Sequence, residues 1–265
     1  MILEILISTM YRKDFSFLEK MFPNNYKKYQ ILIVNQTDLE SILKSDLENI
    51  RVINSFDFGL SKSRNLAIQN SIGDICLIAD DDIEFLPNFE QIIIDSFNAL
   101  KQASVILFKI EAFTGESYKP YPHISKQLYR KKDIETASSI EMAFKRRAVL
   151  NRFYFNTSFG LGTNFPHGEE YLFLKQVLES NLEIHFQNKV IVKHSLERST
   201  SNIGSDDFVK TQAALYFHDY KNLAYLHLLK FVFFLLRKGV ISKNELLHTF
   251  KKGAFAIKQY RSLKS

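Results

Sequence analysis

Three consecutive aspartates, Asp80-Asp81-Asp82, follow directly on the apolar run at residues 75–79. Carboxylates about 5 Å apart repel each other by roughly 3 kcal/mol at an effective dielectric constant of about 20. A divalent cation removes that repulsion, and hard oxygen ligands suit Mg²⁺ or Mn²⁺. Ligands of open α/β sheets bind beyond the carboxyl ends of strands, which is where this triplet falls. Taken alone, the triplet is equally compatible with a solvated acidic turn.

A second polar cluster lies upstream, where residues 59–65 read Gly-Leu-Ser-Lys-Ser-Arg-Asn and begin a predicted helix. The first turn of a helix offers free backbone N–H groups to an anion. Arg64 adds a planar fork that matches phosphate, and Lys62 adds a point charge. The segment therefore predicts a phosphate site, although an ordinary solvated helix start is the alternative.

Short apolar runs alternate with longer helical patterns along the chain. This alternation predicts an α/β fold with a mostly parallel sheet flanked by helices, and these elements position the residues described above. Residues 112–131 and 153–166 lack periodicity and are interpreted as loops. Strands are predicted at residues 2–8, 31–34, 51–54, 74–79, 104–110, 139–144, 184–186 and 190–193. Helices are predicted at residues 14–21, 39–47, 61–71, 88–102 and 168–179, and from 205 onward with breaks near Gly239 and Gly253.

Composition indicates a globular protein, with 265 residues of which 46% are apolar and 24% charged. The single cysteine, Cys76, lies within an apolar run, so a reducing compartment is the simplest interpretation. Neither a secretory signal nor an apolar stretch of about 20 residues is present. We therefore expect a cytoplasmic protein, soluble or peripheral at the inner face of the cell membrane.

Charge is strongly segregated along the chain. The formal net charge is +6, but residues 221–265 carry ten Lys or Arg and one acid, which is +9, so the preceding residues carry −3. This basic helical appendage predicts attachment to an anionic membrane surface. The alternative is that its helices pack on the catalytic domain or on a partner subunit, and a homo-oligomer is left open. The negative body argues against nucleic acid.

The order "strand, Gly-x-Ser-x-x-Arg-Asn, helix, Gly-Asp, strand, Asp-Asp-Asp" resembles family 2 of the glycosyltransferases, which have the A-type nucleotide-sugar-binding fold. The resemblance runs from about residue 2 to residue 194. It implies that Asp80 and Asp82 contact the metal, Mn²⁺ or Mg²⁺, and the ribose-diphosphate of the donor. Asp81 is the spacer between them and is counted among the donor-binding residues. Arg64 and Lys62 are expected near the nucleotide.

The resemblance also assigns roles at other strand ends. Ser8 and Thr9 are expected to border the nucleotide, and His194 to complete the metal or diphosphate site. Without the resemblance, a lone histidine at a strand end would be interpreted as a hydrogen-bonded structural residue. The family usually has an acidic residue that recognises the nucleotide base, and this chain has Asn35 at that position. Asn35 can pair with uracil, and Asp38 is the alternative residue for this role. A UDP-sugar is therefore favoured as donor.

Catalysis also needs a base that takes the proton of the acceptor hydroxyl. His167-Gly168-Glu169-Glu170 resembles the acidic pair of the family, whose second acid is the base, so Glu170 is predicted and Glu169 is the alternative. Without the resemblance, both would be read as acids that stabilise a helix start. Glu141, in the resembling acceptor-side strand, could bind a sugar hydroxyl or belong to the core.

The sequence thus predicts a metal-dependent, inverting glycosyltransferase of bacterial surface polysaccharide synthesis, acting on a saccharide or lipid-linked acceptor. Residues 1–204 would form the catalytic domain, with a nucleotide-sugar half at 1–110 and an acceptor half at 111–204, and residues 205–265 the helical appendage. Two alternatives remain at this point. One is a nucleotidyltransferase, which would show a Gly-rich loop after strand one, and the other is a non-catalytic membrane- or nucleic-acid-binding module.

Overall fold

The structure is a computed structural model that describes residues 1–196 and 203–263. The chain forms two compact units. The first comprises residues 1–156 and 169–196, and the second comprises residues 157–168 and 197–265. Residues 157–168, which the sequence places in the catalytic domain, thus group with the C-terminal helices.

The first unit is built on one nine-stranded sheet, in the order β3-β2-β1-β4-β8-β6-β9-β5, and β7 also pairs with β9. Six strands (β1 to β4, β6 and β9) run in one direction, and the others are antiparallel to their neighbours. The predicted α/β fold with a mostly parallel sheet is therefore confirmed. The strands are β1 Leu3–Met10, β2 Gln30–Gln36, β3 Ile50–Ser55, β4 Ile75–Asp80, β5 Glu84–Phe85, β6 Ala103–Ala112, β7 Lys126–Leu128, β8 Met142–Lys145 and β9 Glu183–His194.

Helices flank this sheet, because its central strands are apolar on both faces and must be covered. β1 and β4 are buried along almost their whole length. The helices of the first unit are α1 Ser16–Met21, α2 Leu60–Asn70, α3 Phe89–Ala99, α4 Lys131–Ile134, α5 Arg146–Val149 and α6 Glu169–Glu179.

Strand register brings the polar strand ends together at one edge of the sheet. β1 pairs with β4 so that Ser8 lies opposite Asp80. β1 also pairs with β2 so that Thr9 lies opposite Asn35. All these strands are parallel, so their carboxyl ends meet at this edge, as ligand sites in such sheets require.

The helix predicted at residues 39–47 is wrong. This segment is a turn followed by chain without regular secondary structure, although its leucines are spaced as in a helix. The Asn54 side chain from β3 accepts a hydrogen bond from the N–H of Leu43 and donates one to its carbonyl. Asp38 accepts from the N–H of Glu40 in a side-chain turn. Side chains thus satisfy the backbone groups that a helix would pair internally.

Two strand predictions also need correction. The two strands predicted at 184–186 and 190–193 are one continuous strand, β9, whose irregularities lie in its pairing with β6. The strand predicted at 139–144 begins only at Met142, because a 3-10 turn at Ser139–Glu141 precedes it.

The second unit packs three helices against one another, α7 Asp206–Tyr220, α8 Ala224–Arg237 and α9 Leu246–Ser262. Phe159 and Phe165 set their rings edge-on against the buried ring of Tyr260, with centroids 5.1 and 5.5 Å away. These contacts explain why residues 157–168 belong to this unit. No helix in the described part of the chain is long and apolar enough to cross a membrane.

The break predicted near Gly239 is present, but the one near Gly253 is wrong. Gly253 lies inside α9, where a Cβ atom would come within 2.5 Å of the Leu228 side chain of α8. The glycine therefore serves close helix packing and does not end the helix.

Candidate active site

The first unit contains a buried ion cluster centred on Arg64. Its Nη1 donates to Glu169 Oε1 at 3.0 Å and to Glu170 Oε1 at 3.4 Å. Its Nη2 donates to Asp80 Oδ1 at 3.1 Å and to the Ser139 hydroxyl at 2.7 Å. One guanidinium therefore joins the aspartate triplet to the acidic pair, two groups that the sequence predicted separately.

Helix α2 holds this guanidinium in place. Gly59, with φ of +130°, turns the chain into the helix, which starts at Leu60. The Ser63 hydroxyl donates to Ser8 at 2.9 Å, which ties the first turn to the end of β1. Asn65 donates to the carbonyl of Phe155 and accepts from its N–H. These contacts fix the helix against the end of β1 and against the chain at Phe155.

Burial decides the charge states within the cluster. The Arg64 side chain is only 2% exposed, and burial alone would lower its pKa. The carboxylates of Asp80, Glu170 and Glu169 outweigh this effect, so the pKa of Arg64 is raised above its ordinary value. Burial also raises the pKa of Glu169 to about 8, reinforced by repulsion from Glu170 and opposed by Arg64. Glu169 Oε2 is buried and has no hydrogen-bond partner among the described residues, which suits a neutral acid.

The raised pKa of Glu169 predicts a pH-dependent stability. Between pH about 4.5 and about 8 the folded protein holds a proton that the unfolded chain has released, so the free energy of unfolding falls as pH rises through this window. In Glu169→Gln this contribution is absent. We expect the difference in Tm, wild type minus variant, to decrease from pH 4.5 to 8 and then to level off. The exposed control Glu19→Gln should follow the wild type at every pH, and a constant difference for Glu169→Gln would refute the assignment.

The guanidinium of Arg64 already has several protein partners, and the phosphate-binding role expected for it stays a prediction. Two of its nitrogens are committed to carboxylates and to Ser139, so its fork faces the acids of the site. Lys62 forms a 2.6 Å ion pair with Asp57, and both side chains are largely exposed. Asp38 is also exposed.

Asp81 is held by the end of β1. Its Oδ2 accepts hydrogen bonds from Arg12 Nε at 3.0 Å and Nη2 at 2.6 Å, and from the Thr9 hydroxyl. Its role as the spacer of the triplet stays a prediction. Arg12 was missed as a site residue, although its position just beyond β1 places it at the same sheet edge.

Asn35 is held by protein partners, and its expected pairing with a base stays a prediction. It is completely buried, and its Oδ1 accepts from the N–H of Arg12. Its Nδ2 lies within hydrogen-bonding distance of the carbonyls of Arg12 and Ser41 and of Asn54 Oδ1. The side chain therefore ties the segment after β1 to its neighbours.

Asp82 and His194 form the exposed end of the site. His194 Nε2 lies 3.4 Å from Asp82 Oδ1. The hydrogen bond from His194 holds the pKa of Asp82 below its usual range, and the contact with Asp82 raises the pKa of His194. His194 Nδ1 donates to the carbonyl of Ser195 at 2.7 Å, which leaves Nε2 directed toward Asp82.

The chemistry of this pair fits Mg²⁺ or Mn²⁺. The three predicted ligands do not converge on one point, because Asp80 turns to Arg64, and no group of three metal-ligating side chains occurs within residues 1–196 and 203–263. Magnesium sites, however, commonly use one or two carboxylates and complete their shell with water and substrate phosphates. A histidine that donates its other ring N–H to a carbonyl is oriented as metal ligands usually are.

The structure favours the interpretation of Glu141 as a core residue over a role in binding a sugar hydroxyl. It is buried, its Oε1 accepts from Lys119 Nζ at 2.7 Å, and its Oε2 accepts from the Tyr121 hydroxyl at 2.9 Å. Burial raises its pKa even though Lys119 opposes the shift. Its carboxylate is therefore already engaged by two side chains, which argues against a sugar contact.

Comparison with known proteins identifies the class of protein. The sequence profile of Glycosyl transferase family 2 matches residues 16–159, which include Arg64 and the aspartate triplet but not Glu169, Glu170 or His194. No curated protein sequence matches the chain.

Solved structures share the fold at low sequence identity. TarS residues 1–349 from S. aureus, in complex with UDP-GlcNAc, align with a TM-score of 0.61 and 15% identity over 98% of this chain and 80% of that one. The same TarS segment described without a ligand gives a TM-score of 0.57 at 15% identity, over 96% and 81% of the two chains. The UDP complex gives 0.56 at 15%, over 94% and 80%.

The fold and the family profile together define a glycosyltransferase with the A-type fold. The chain belongs to glycosyltransferase family 2, which makes it a nucleotide-sugar glycosyltransferase. The predicted family is thereby confirmed, and the nucleotidyltransferase alternative is not supported.

Proposed function

We propose that this protein transfers a sugar from a UDP-sugar, with inversion at the anomeric carbon, to a saccharide or lipid-linked acceptor of a bacterial surface polysaccharide. The observation that carries the proposal is the Arg64 cluster, which joins the donor-side Asp80 to the acidic pair Glu169 and Glu170. A donor site and a base must lie side by side for direct displacement. The TarS structure with UDP-GlcNAc supports uridine as the nucleotide.

Glu170 is the proposed base because it is the more accessible acid of the pair. Its side chain is 18% exposed, whereas that of Glu169 is 4% exposed. Its carboxylate takes the proton of the acceptor hydroxyl as that oxygen bonds to the anomeric carbon, and the bond from this carbon to the diphosphate breaks. Attack opposite the leaving group inverts the configuration. Glu169, neutral and buried, holds Arg64 from the other side.

Asp82 and His194 are the proposed metal-binding side chains, with Asp80 beside them. A divalent ion bound there would neutralise the charge that develops on the departing diphosphate. Arg12, whose side chain is partly exposed, lies at the same edge and adds positive charge near the diphosphate. A cytoplasmic location belongs to the proposal, since the single cysteine, Cys76, is a buried free thiol.

Replacing Asp82 with alanine tests the metal proposal. We expect Asp82→Ala to lose Mn²⁺-dependent stabilisation by UDP and to lower the transfer rate by about 10²-fold or more, because one ligand and its charge are removed. Both are measured by thermal shift and by UDP release across a panel of UDP-sugars. The control Asp95→Ala, an exposed acid of α3, should behave as wild type. A wild-type rate that is unchanged in excess chelator would refute metal dependence.

If no UDP-sugar releases UDP while another nucleotide sugar releases its diphosphate, the uridine assignment fails but the glycosyltransferase assignment stands. Release from none of them, with binding retained, would point to a catalytically inactive member of the family.

A further inference from the structure

Helix α8 of the second unit carries apolar side chains on two opposite faces. Its inner face, formed by Ala224, Leu228, Val232 and Leu235, is buried. Its outer face carries Leu226 and Phe233, which are 48% and 52% exposed, and Leu229 lies beside them. Positions 226, 229 and 233 are spaced three and four residues apart, so they form one stripe along the helix. Exposure of this apolar stripe to water is energetically unfavourable.

Positive charge accompanies the outer stripe. Lys230 and Arg237 follow Leu226 and Phe233 at intervals of four residues, so they lie along the same face, and both are exposed. Neither forms an ion pair within the described part of the chain. Helix α8 contains no acidic residue, and it lies in the segment 221–265 with its net charge of +9.

We propose that the outer face of α8 inserts into an anionic lipid surface, with the helix lying in the plane of that surface. Fourteen residues span about 21 Å at 1.5 Å per residue, less than the roughly 30 Å hydrocarbon core, so the helix can lie in the interface but not cross it. Apolar side chains enter the headgroup boundary while Lys230 and Arg237 meet the lipid phosphates. This attachment is independent of the donor and the metal proposed above.

Two other occupants of this face are less favoured. A second copy packed through a two-fold axis would set the cations of one α8 against those of the other, because the same patch contributes from both sides. A nucleic acid would neutralise the cations, but its phosphate backbone offers little to Leu226 and Phe233 at the centre of the stripe. An anionic lipid surface satisfies both the charges and the apolar side chains.

The test uses the full chain and sedimentation with vesicles of equal parts phosphatidylglycerol and phosphatidylcholine, or of phosphatidylcholine alone. We expect wild type to bind the anionic vesicles, more weakly at high salt, and to bind the neutral ones poorly. Leu226→Glu/Phe233→Glu should bind at least about 10-fold more weakly, because two inserting side chains become charged. Lys230→Gln/Arg237→Gln should lose about 10-fold with anionic vesicles only.

The matched control is Ile2→Glu/Ile72→Glu. These side chains, 58% and 61% exposed, lie near the amino ends of β1 and β4 in the first unit, and the charge change is the same. The control should bind vesicles as wild type does. Thermal melts of all variants establish that each one is folded.

The proposal is overturned if folded wild type ignores anionic vesicles, or if the Leu226→Glu/Phe233→Glu variant binds them as wild type does. Self-association in sedimentation velocity that this variant abolishes, without lipid binding by wild type, would assign the face to a second copy. Salt-dependent binding of an RNA oligonucleotide, lost in the same variant and unaccompanied by lipid binding, would assign it to nucleic acid.

Discussion

Glu170→Gln is expected to lower kcat by about 10²- to 10⁴-fold while leaving the affinity for the donor nucleotide unchanged. This range is what a positioned general base contributes to a proton transfer. Glutamine keeps the volume of the side chain, and its carbonyl oxygen can still accept from Arg64 Nη1, 3.4 Å away in the wild type. The arrangement around Arg64 is therefore retained, and only the ability to take a proton is lost. Single-turnover transfer and UDP binding measure the two quantities separately.

Glu169→Gln is the matched control for this prediction. Glu169 is neutral over most of the pH range because its pKa is raised to about 8, and a neutral glutamine resembles a neutral acid in size and polarity. We expect a much smaller loss of kcat than in Glu170→Gln. The opposite order of the two variants would make Glu169 the base.

Arg64→Leu is expected to lower the free energy of unfolding by about 3–5 kcal/mol and to abolish transfer. Removing one partner of a buried ion pair leaves the remaining charge uncompensated in a medium of low polarity. Here Asp80 and Glu170 would lose their shared counter-ion, and Glu169 would lose the cation that faces its Oε1. Denaturant unfolding measures the stability. The control Arg130→Leu removes an exposed arginine paired with Asp133, and it should change stability little.

Two further variants separate the charge of Arg64 from its shape. Arg64→Lys keeps the charge but offers one nitrogen in place of a fork, so it cannot reproduce the separate contacts of Nη1 with Glu169 and of Nη2 with Asp80. We expect it to recover part of the stability and little of the activity. Arg64→Leu/Glu170→Gln removes a charge together with its counter-ion, and the two effects on stability should be less than additive. Strict additivity would show that the pair is not coupled.

The sequence predicts the strands well where apolar runs are short and bounded, as for β1 and β4. It fails at residues 39–47, because the side chain of Asn54 satisfies the backbone of Leu43 from a strand eleven residues further on. The sequence-based prediction also fails at Gly253, because the glycine there makes room for the Leu228 side chain of another helix. Local patterns do not contain these partners.

The candidate site shows the same division. The aspartate triplet could be singled out from residue type and spacing, and the acidic pair from the family resemblance, whereas their junction through Arg64 could be predicted from neither. That junction joins residues 16, 105 and 106 positions apart, and it depends on how α2 and α6 meet the sheet. The burial of Asn35 was hidden for a similar reason, since its partners come from three separate segments.

The contact of Asp81 with Thr9 and Arg12 has a thermodynamic consequence for the turn at residues 80–82. Asp81 anchors the middle of this turn to the end of β1, and Asp80 anchors its start to Arg64. Ordering a loop on binding costs conformational entropy that subtracts from affinity. Because protein contacts already hold this turn, a donor that binds at this edge, as proposed, would meet ordered carboxylates and would retain more of its interaction energy as affinity.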